Sequence, residues 1–517
     1  MMRRSGIFLP IPSLPSRYGI GEFGPEAYRF VEGLHATRQR VWEILPLLIP
    51  DGVGSSFDSP SAFALNWMLV SPEVLLHQKL LSRSRAQAFE RRRDRIAYGE
   101  SNVEKRTLIG YALAAFRDRA SPQQHRRFVR FQQRERWWLE DYALFMAIKD
   151  RHGGQPWWTW TSALRNHQTS ALRKWTRRYH EEMAYFCFGQ WIAHEQWQQV
   201  KRYANERGIR ILGDLPFFVV HDSADVWAHQ TLFQMTQKGK LTILSGAPPD
   251  LFYSRGQTWG NPLYAWKNHR RESFRWWISR FRKALSFYDE LRLDHFRGYK
   301  ATWTIPARSA TAARGYWIRT PGEVLLRGVR ALFPSARLIA EDLGKITPKV
   351  YQLRDRFGLI GTRVLQFGFH PLLRHLHHPE TYPSKSAAYS STHDLPTLRE
   401  WMKKISSAER QNLQRVLPRP TLCGLLSLLY ASKSDTVILP LHDLLGLGEN
   451  ARLNRPGRVE KNNWTWRLPP HALTRKTALA LSAMTRKSGR TRPSSSILRT
   501  HPLINITRIT APATKKR

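Results

Sequence analysis

Residues 288–298 read YDELRLDHFRG. Leu291 and Leu293 alternate around Arg292 as in a short strand, and the run ends in Asp294 and His295 before Phe296-Arg297-Gly298 turns the chain. A strand that delivers a carboxylate, an imidazole and two guanidiniums to one end is either a salt-bridged strand terminus or the charged floor of an active site.

The same grammar, a helical stretch followed by a short apolar run and then an acid or a Pro/Gly turn, recurs along the chain. It is found in RQRVWEILPL (38–47), YANERGIRILGDLPFFVV (203–220), SARLIAEDLG (335–344), AAYSSTHDLP (387–396) and DTVILPLHDLLGL (435–447). Helices alternating with short buried strands predict a parallel α/β architecture. Acids at the C-terminal ends of several different strands predict a (β/α)8 TIM barrel with its active mouth at those ends. A doubly wound sheet is the alternative, but no Gly-rich phosphate loop follows any of these strands.

Such a barrel needs about 250 residues, and the chain has 517. The excess is expected as a helical insertion over 76–200 and an irregular, Pro-, Gly- and Trp-rich insertion over 221–270 that forms a lid near the mouth. Together these make one catalytic unit over 1–487. From 488 the pattern dissolves into Ser, Thr, Pro and cations, so 488–517 reads as a basic, disordered tail.

Lys and Arg total 82 against 40 acids, a formal charge of +42. Such a field attracts polyanions, but the cations are scattered over nearly every segment and no nucleic-acid motif accompanies them. No specific nucleic-acid partner is therefore expected. The two cysteines, Cys187 and Cys423, offer neither a disulfide framework nor a metal cluster, which fits a reducing cytoplasm. Two prolines interrupt the N-terminal apolar run, unlike a signal peptide, and no stretch approaches the length of a membrane span, so no membrane association is expected.

Asp294, Glu341 and Asp394 stand at three strand ends, each beside a hydrogen-bond donor. Three converging carboxylates suit glycosidic bond cleavage: one attacks the anomeric carbon, one protonates the leaving oxygen, and one holds sugar hydroxyls at the transition state. Metal binding is the rival use of three acids, and nothing in the spacing favours it.

At this point the chain resembles the amylomaltase, or 4-alpha-glucanotransferase, family. The resemblance runs from RRSGIFLPIPSLPSRYGIGEFGPEAYRFVEGL (3–34) to NNWTWRL (462–468). It is carried by GDLPFFVVHDSADVWA (213–228), GAPPDLFYSRGQTWGNPLY (246–264), LRLDHFRG, IAEDLGKITP (339–348), STHDLPTL (391–398) and LHDLLGLGENARLNRPG (441–457). It implies a retaining double displacement with Asp294 as nucleophile, Glu341 as general acid/base and Asp394 as transition-state carboxylate. Arg292 would orient Asp294, and His295 and His393 would read sugar hydroxyls. Asp250, Gln257, Trp259 and Asn261 would belong to the loop over the cleft, with Phe57 and Asn463 as further sugar contacts. The implied substrates are α-1,4-glucans, with glucose or another glucan as acceptor, and no cofactor. Net hydrolysis, or glucan binding without turnover, stays open. Oligomeric state and chain-length preference are not legible.

The match departs from the family near the cleft. Ser55-Ser56-Phe57-Asp58 stands for the usual Ser-Pro-Tyr-Gln, Glu43 for a Gln, Leu48-Ile49 for Gly-Pro, and His442, His370 and Ala265 for other polar residues. Asp214 and Asp225 read as structural acids at the mouth.

Overall fold

A computed structural model of the chain describes residues 3–251, 253–457 and 460–491. Eight short strands form a closed barrel. They are β1 (Arg4–Phe8), β2 (Val41–Glu43), β3 (Arg210–Leu215), β4 (Glu290–Leu293), β5 (Arg337–Ala340), β6 (Ile360–Val364), β7 (Ser386–Tyr389) and β8 (Thr436–Pro440). Each is parallel to both neighbours, and β8 pairs back onto β1. The expected TIM barrel is the fold.

Six of these strands are the apolar runs read from the sequence. The other two, β1 and β6, broke the signal because their buried residues include polar ones. On β6, Thr362 donates from its backbone to Asp342 and from its hydroxyl to the Ala340 carbonyl, while the Arg363 guanidinium donates to the Thr362 carbonyl. On β1, Gly6 lies so close to β2 that a Cβ there would sit 2.4 Å from the Val41 carbonyl oxygen. Satisfied polar groups and a close backbone approach thus replace the expected hydrophobic run.

The N-terminal end of the barrel is closed by charge. The Arg4 guanidinium forks onto Glu290 with two bonds of 2.5 Å, Arg337 approaches the same carboxylate, and both arginines donate to the Thr436 hydroxyl. This ties β1, β4, β5 and β8 together at the face opposite the mouth, where a TIM barrel keeps its stability rather than its chemistry.

Between β2 and β3 lie seven helices, from Pro72–His77 to His180–Glu206. The longest, Pro122–Arg151, begins with a capping box in which Ser121 and Gln124 exchange hydrogen bonds, and it packs along His180–Glu206. The helical insertion thus overruns the expected 76–200 at both ends, because its last helix leads directly into β3.

The lid also differs from expectation. It is a four-stranded antiparallel sheet in the order Gln257–Thr258, Ile243–Ala247, Ala301–Pro306, Tyr316–Arg319. Only the first two strands belong to the expected 221–270 insertion. The other two form a hairpin after β4, so the lid is assembled from two excursions of the barrel.

Residues 488–491, the start of the expected tail, are among the described residues. After the helix Arg475–Lys487, Arg490 is fully buried and its guanidinium donates to the carbonyls of Tyr430, Ser432 and Ser434. The remainder of the expected tail, 492–517, lies outside the described residues.

Candidate active site

Register brings the chemistry together. On β4, Arg292 pairs with Asp214 of β3, and Leu293 pairs with Ala340 of β5. The next residues along the two strands, Asp294 and Glu341, therefore emerge side by side at the C-terminal rim. Their backbones hold them there: Asp294 N–H donates to the Leu215 carbonyl, Glu341 N–H to the Leu293 carbonyl, and Phe296 N–H to the Glu341 carbonyl.

Arg292 is buried, and its Nη1 donates to both Asp214 Oδ2 (2.5 Å) and Asp294 Oδ1 (3.0 Å). Burial opposes its charge, but Asp214, Asp294 and Glu341 around it hold it firmly cationic. Asp214 is fixed as a neighbour of the cation rather than as an acid facing the cleft. Burial, countered in part by Arg292, pushes its proton affinity up. The Asp294 side chain keeps about a quarter of its surface exposed, so its free oxygen faces the mouth.

Glu341 differs in kind from Asp294. Burial, with Asp294 and Asp342 adding repulsion, pushes its carboxyl up to about 8 against the pull of Arg292. Its Oε2 accepts the backbone N–H of His295 at 2.9 Å. That bond depends on a left-handed backbone at His295, φ 45°, a conformation that non-glycine residues adopt where the surroundings impose it. A carboxyl with raised proton affinity beside a carboxylate bonded to arginine is the division of labour that glycosidic cleavage requires.

The His295 ring lies against Trp259 edge-on (4.8 Å between centroids) and near Phe217 and Phe218. Burial lowers its affinity for a proton to about 4, so the imidazole is neutral at neutral pH, and its Nε2 is buried without a protein partner. His393 is also buried and its proton affinity lowered by burial. Phe57 stacks on it at 5.5 Å and Trp464 packs beside both rings. Asp394 is more open. Its Oδ1 accepts from Asn454 Nδ2 at 2.7 Å, and its backbone carbonyl accepts from Arg452.

Of the lid residues read from the sequence, Trp259 reaches the rim through its contact with His295. Trp259 Nε1 donates to Gln257 Oε1, and the Asn261 backbone N–H donates to the Ser245 hydroxyl. Asp250 Oδ1 accepts the Tyr253 N–H in the loop beyond. Asn463 is buried, and its Oδ1 accepts the Arg455 N–H, tying the loop that carries Asn454. Sequence reasoning overlooked Asn454, Arg452, Tyr389 and the pairing of Asp214 with Arg292. Their signal lay in strings already singled out, ARLNRPG, AAYSSTHD and GDLPF, but only register shows what they touch. Among the described residues no cluster of His, Cys, Asp and Glu is arranged to hold a metal ion.

A family model described as 4-alpha-glucanotransferase matches residues 9–474. The chain is 40% identical to a 4-alpha-glucanotransferase of Thermus thermophilus over 494 residues, 93% of this chain and 98% of that protein. It is 38% identical to the 4-alpha-glucanotransferase of Aquifex aeolicus, covering 90% of this chain and 96% of that one. Among solved structures, amylomaltase from Streptococcus agalactiae in complex with acarbose superposes with a TM-score of 0.91 at 32% identity, over 95% of this chain and all of that one.

Proposed function

The chain belongs to the 4-alpha-glucanotransferase family, and on that premise we propose that Asp294, Glu341 and Asp394 carry its transfer of α-1,4-glucan segments to glucose or another glucan. Asp294, oriented by the hydrogen bond from Arg292, attacks the anomeric carbon. Glu341 gives its proton to the leaving glycosidic oxygen, and a covalent glucosyl-enzyme forms. A sugar hydroxyl then gives up its proton to Glu341 and displaces Asp294, so the anomeric configuration is retained after two inversions. Asp394, oriented by Asn454, accepts hydroxyls of the distorted sugar at the transition state. His295 Nε2 and His393 supply neutral hydrogen-bonding edges to the same unit.

The observation that carries this reading is the pairing of Leu293 with Ala340, which sets a protonated carboxyl beside an arginine-held carboxylate on adjacent strand ends. The lid supports transfer over hydrolysis. Trp259 against His295 and the sheet above it shield the glucosyl-enzyme from water, so that a carbohydrate hydroxyl is the favoured acceptor. Phe57, Gln257, Asp250, Asn261 and Asn463 line or brace the groove that the glucan would occupy. We assign the enzyme to the cytoplasm: Cys187 and Cys423 are both free thiols, and among the described residues no helix is long and apolar enough to cross a membrane.

The test is incubation with maltotriose and resolution of products by chain length, beside Asp294→Asn. A ladder of longer maltosaccharides with free glucose, absent in the variant, is the expected result. Shorter products alone would make the protein a hydrolase. Glucan binding without products would leave it a binding remnant.

A further inference from the structure

Arg292 is the cation shared by four carboxyl groups, not two. Besides Asp214, Asp294 and Glu341, it faces Glu43, the last residue of β2. Glu43 is buried and lines one cavity with Arg292, Glu341, Tyr389 and His393, beneath the carboxyls at the rim. The Tyr389 hydroxyl faces its carboxyl from β7.

Counting charge decides what Glu43 can be. The nucleophile has to be ionised and is bonded to Arg292. Asp214 holds the same guanidinium nitrogen at 2.5 Å. Glu341 has to carry a proton to serve as acid. A further ionised carboxylate in a buried site with one cation is costly, because desolvation is not repaid by a second partner. A protonated carboxyl has nearly the shape of a carboxamide and is electrically neutral.

Resting on the transferase reading above, we infer that Glu43 is a positioning residue for Arg292 that works only in its protonated form, and that its ionisation switches the centre off from beneath the sugar. Once ionised, Glu43 competes with Asp294 for the guanidinium and leaves the nucleophile less firmly held. The groups that face Glu43 are Asp214 from β3, Arg292 from β4, Glu341 just past β5, Tyr389 from β7 and His393 from the loop after β7. Asp214 raises its proton affinity further, while Arg292 and the Tyr389 hydroxyl oppose this. Burial is the largest influence and brings Glu43 up to about 8, so the switch falls in mildly alkaline solution.

The experiment is the pH profile of kcat/KM for maltotriose transfer by wild type, Glu43→Ala and Glu43→Gln, with folding checked by circular dichroism at each pH. Glu43→Ala loses activity tenfold or more, and Glu43→Gln recovers most of that loss. In wild type the alkaline limb falls with the second power of proton activity, because Glu341 and Glu43 must both hold protons. In Glu43→Gln it falls with the first power, because only Glu341 remains. Should Glu43→Gln not fold, Glu43→Met, uncharged and similar in length, carries the same prediction for the limb. An active wild type with a first-power limb, a second-power limb kept by the neutral variants, or a Gln variant as inactive as the Ala variant overturns the inference and leaves the transferase reading standing. A wild type without transfer products at any pH overturns that reading, and this one with it.

Discussion

Arg292→Lys tests the centre most directly. The substitution keeps the positive charge but shortens the side chain by one atom and replaces a planar fork with a compact ammonium. Nη1 now spans two acceptors, Asp214 Oδ2 at 2.5 Å and Asp294 Oδ1 at 3.0 Å. A lysine nitrogen falls about one bond length, roughly 1.5 Å, short of that position. It keeps the closer contact and lets the Asp294 bond stretch beyond hydrogen-bonding range. A hydrogen bond to a charged group contributes about 1.5–3 kcal/mol. If that amount is lost at the transition state, kcat falls by about 10- to 150-fold. The loss falls on kcat rather than KM, because the carboxylate is misaimed while the groove is untouched. Initial rates of glucose release from maltotriose, read with a glucose-specific coupled assay, give both constants. Arg292→Met, which leaves Asp214 and Asp294 without their cation, is more damaging still. A lysine variant within threefold of wild type, or equal to the methionine variant, would refute the argument that geometry and not charge alone is what Arg292 supplies.

Four further outcomes are expected. Glu341→Gln slows transfer from maltotriose by about 100- to 10,000-fold, but much less from an α-glucosyl fluoride, whose leaving group needs no proton; equal losses on both donors contradict the acid role. The +42 charge lowers the proton affinity of Glu341 where it is unscreened, so the alkaline limb moves to higher pH between ~0.01 M and ~0.15 M salt, as the Debye length shrinks from about 30 to 8 Å; a profile indifferent to salt counts against this. A chain ending at 487 melts lower than one ending at 491, by the ~1–3 kcal/mol tied to Arg490 and the carbonyls it satisfies; coincident melts remove that role. Finally, Glu43 binds its proton more tightly folded than unfolded, so wild type loses stability relative to Glu43→Gln as pH rises from about 4.5 through about 8. The gap in melting temperature therefore widens across that window, and a constant gap argues against a buried protonated Glu43.

Much of this was legible in the chain because the barrel is periodic and its acids fall at strand ends. LRLDHFRG, IAEDLG and STHDLP could be read as strand followed by rim, and the structure places Asp294, Glu341 and Asp394 at those rims. Strand β6 was missed because Thr362 and Arg363 interrupt its apolar pattern, and their buried partners are invisible until the fold is closed. The hairpin 301–319 was missed for a related reason: a lid strand covers the mouth on one face only, and Trp303 and Trp317 resemble insert rather than sheet. Glu43 could be seen as an odd residue, but not as one facing Arg292, since β2 and β4 are separated by β3 and joined only by the inward direction of their side chains. Pairing along a strand leaves a trace in sequence; meeting across a barrel does not.

The seam between β1 and β8 has a consequence for how the protein is made. Arg4 and Thr436, which share a hydrogen bond there, are 432 positions apart. At about 5–20 residues per second, synthesis separates them by roughly 20 to 90 seconds. Throughout that interval the first strand leaves the ribosome with one edge unpaired and with Arg4 lacking both Glu290, for most of the time, and Thr436. An open strand edge is a template for pairing with other chains. A nascent copy on a crowded message is thus exposed to its neighbours until the last strand arrives, so a pause in translation anywhere between the codons for β1 and β8 lengthens that exposure.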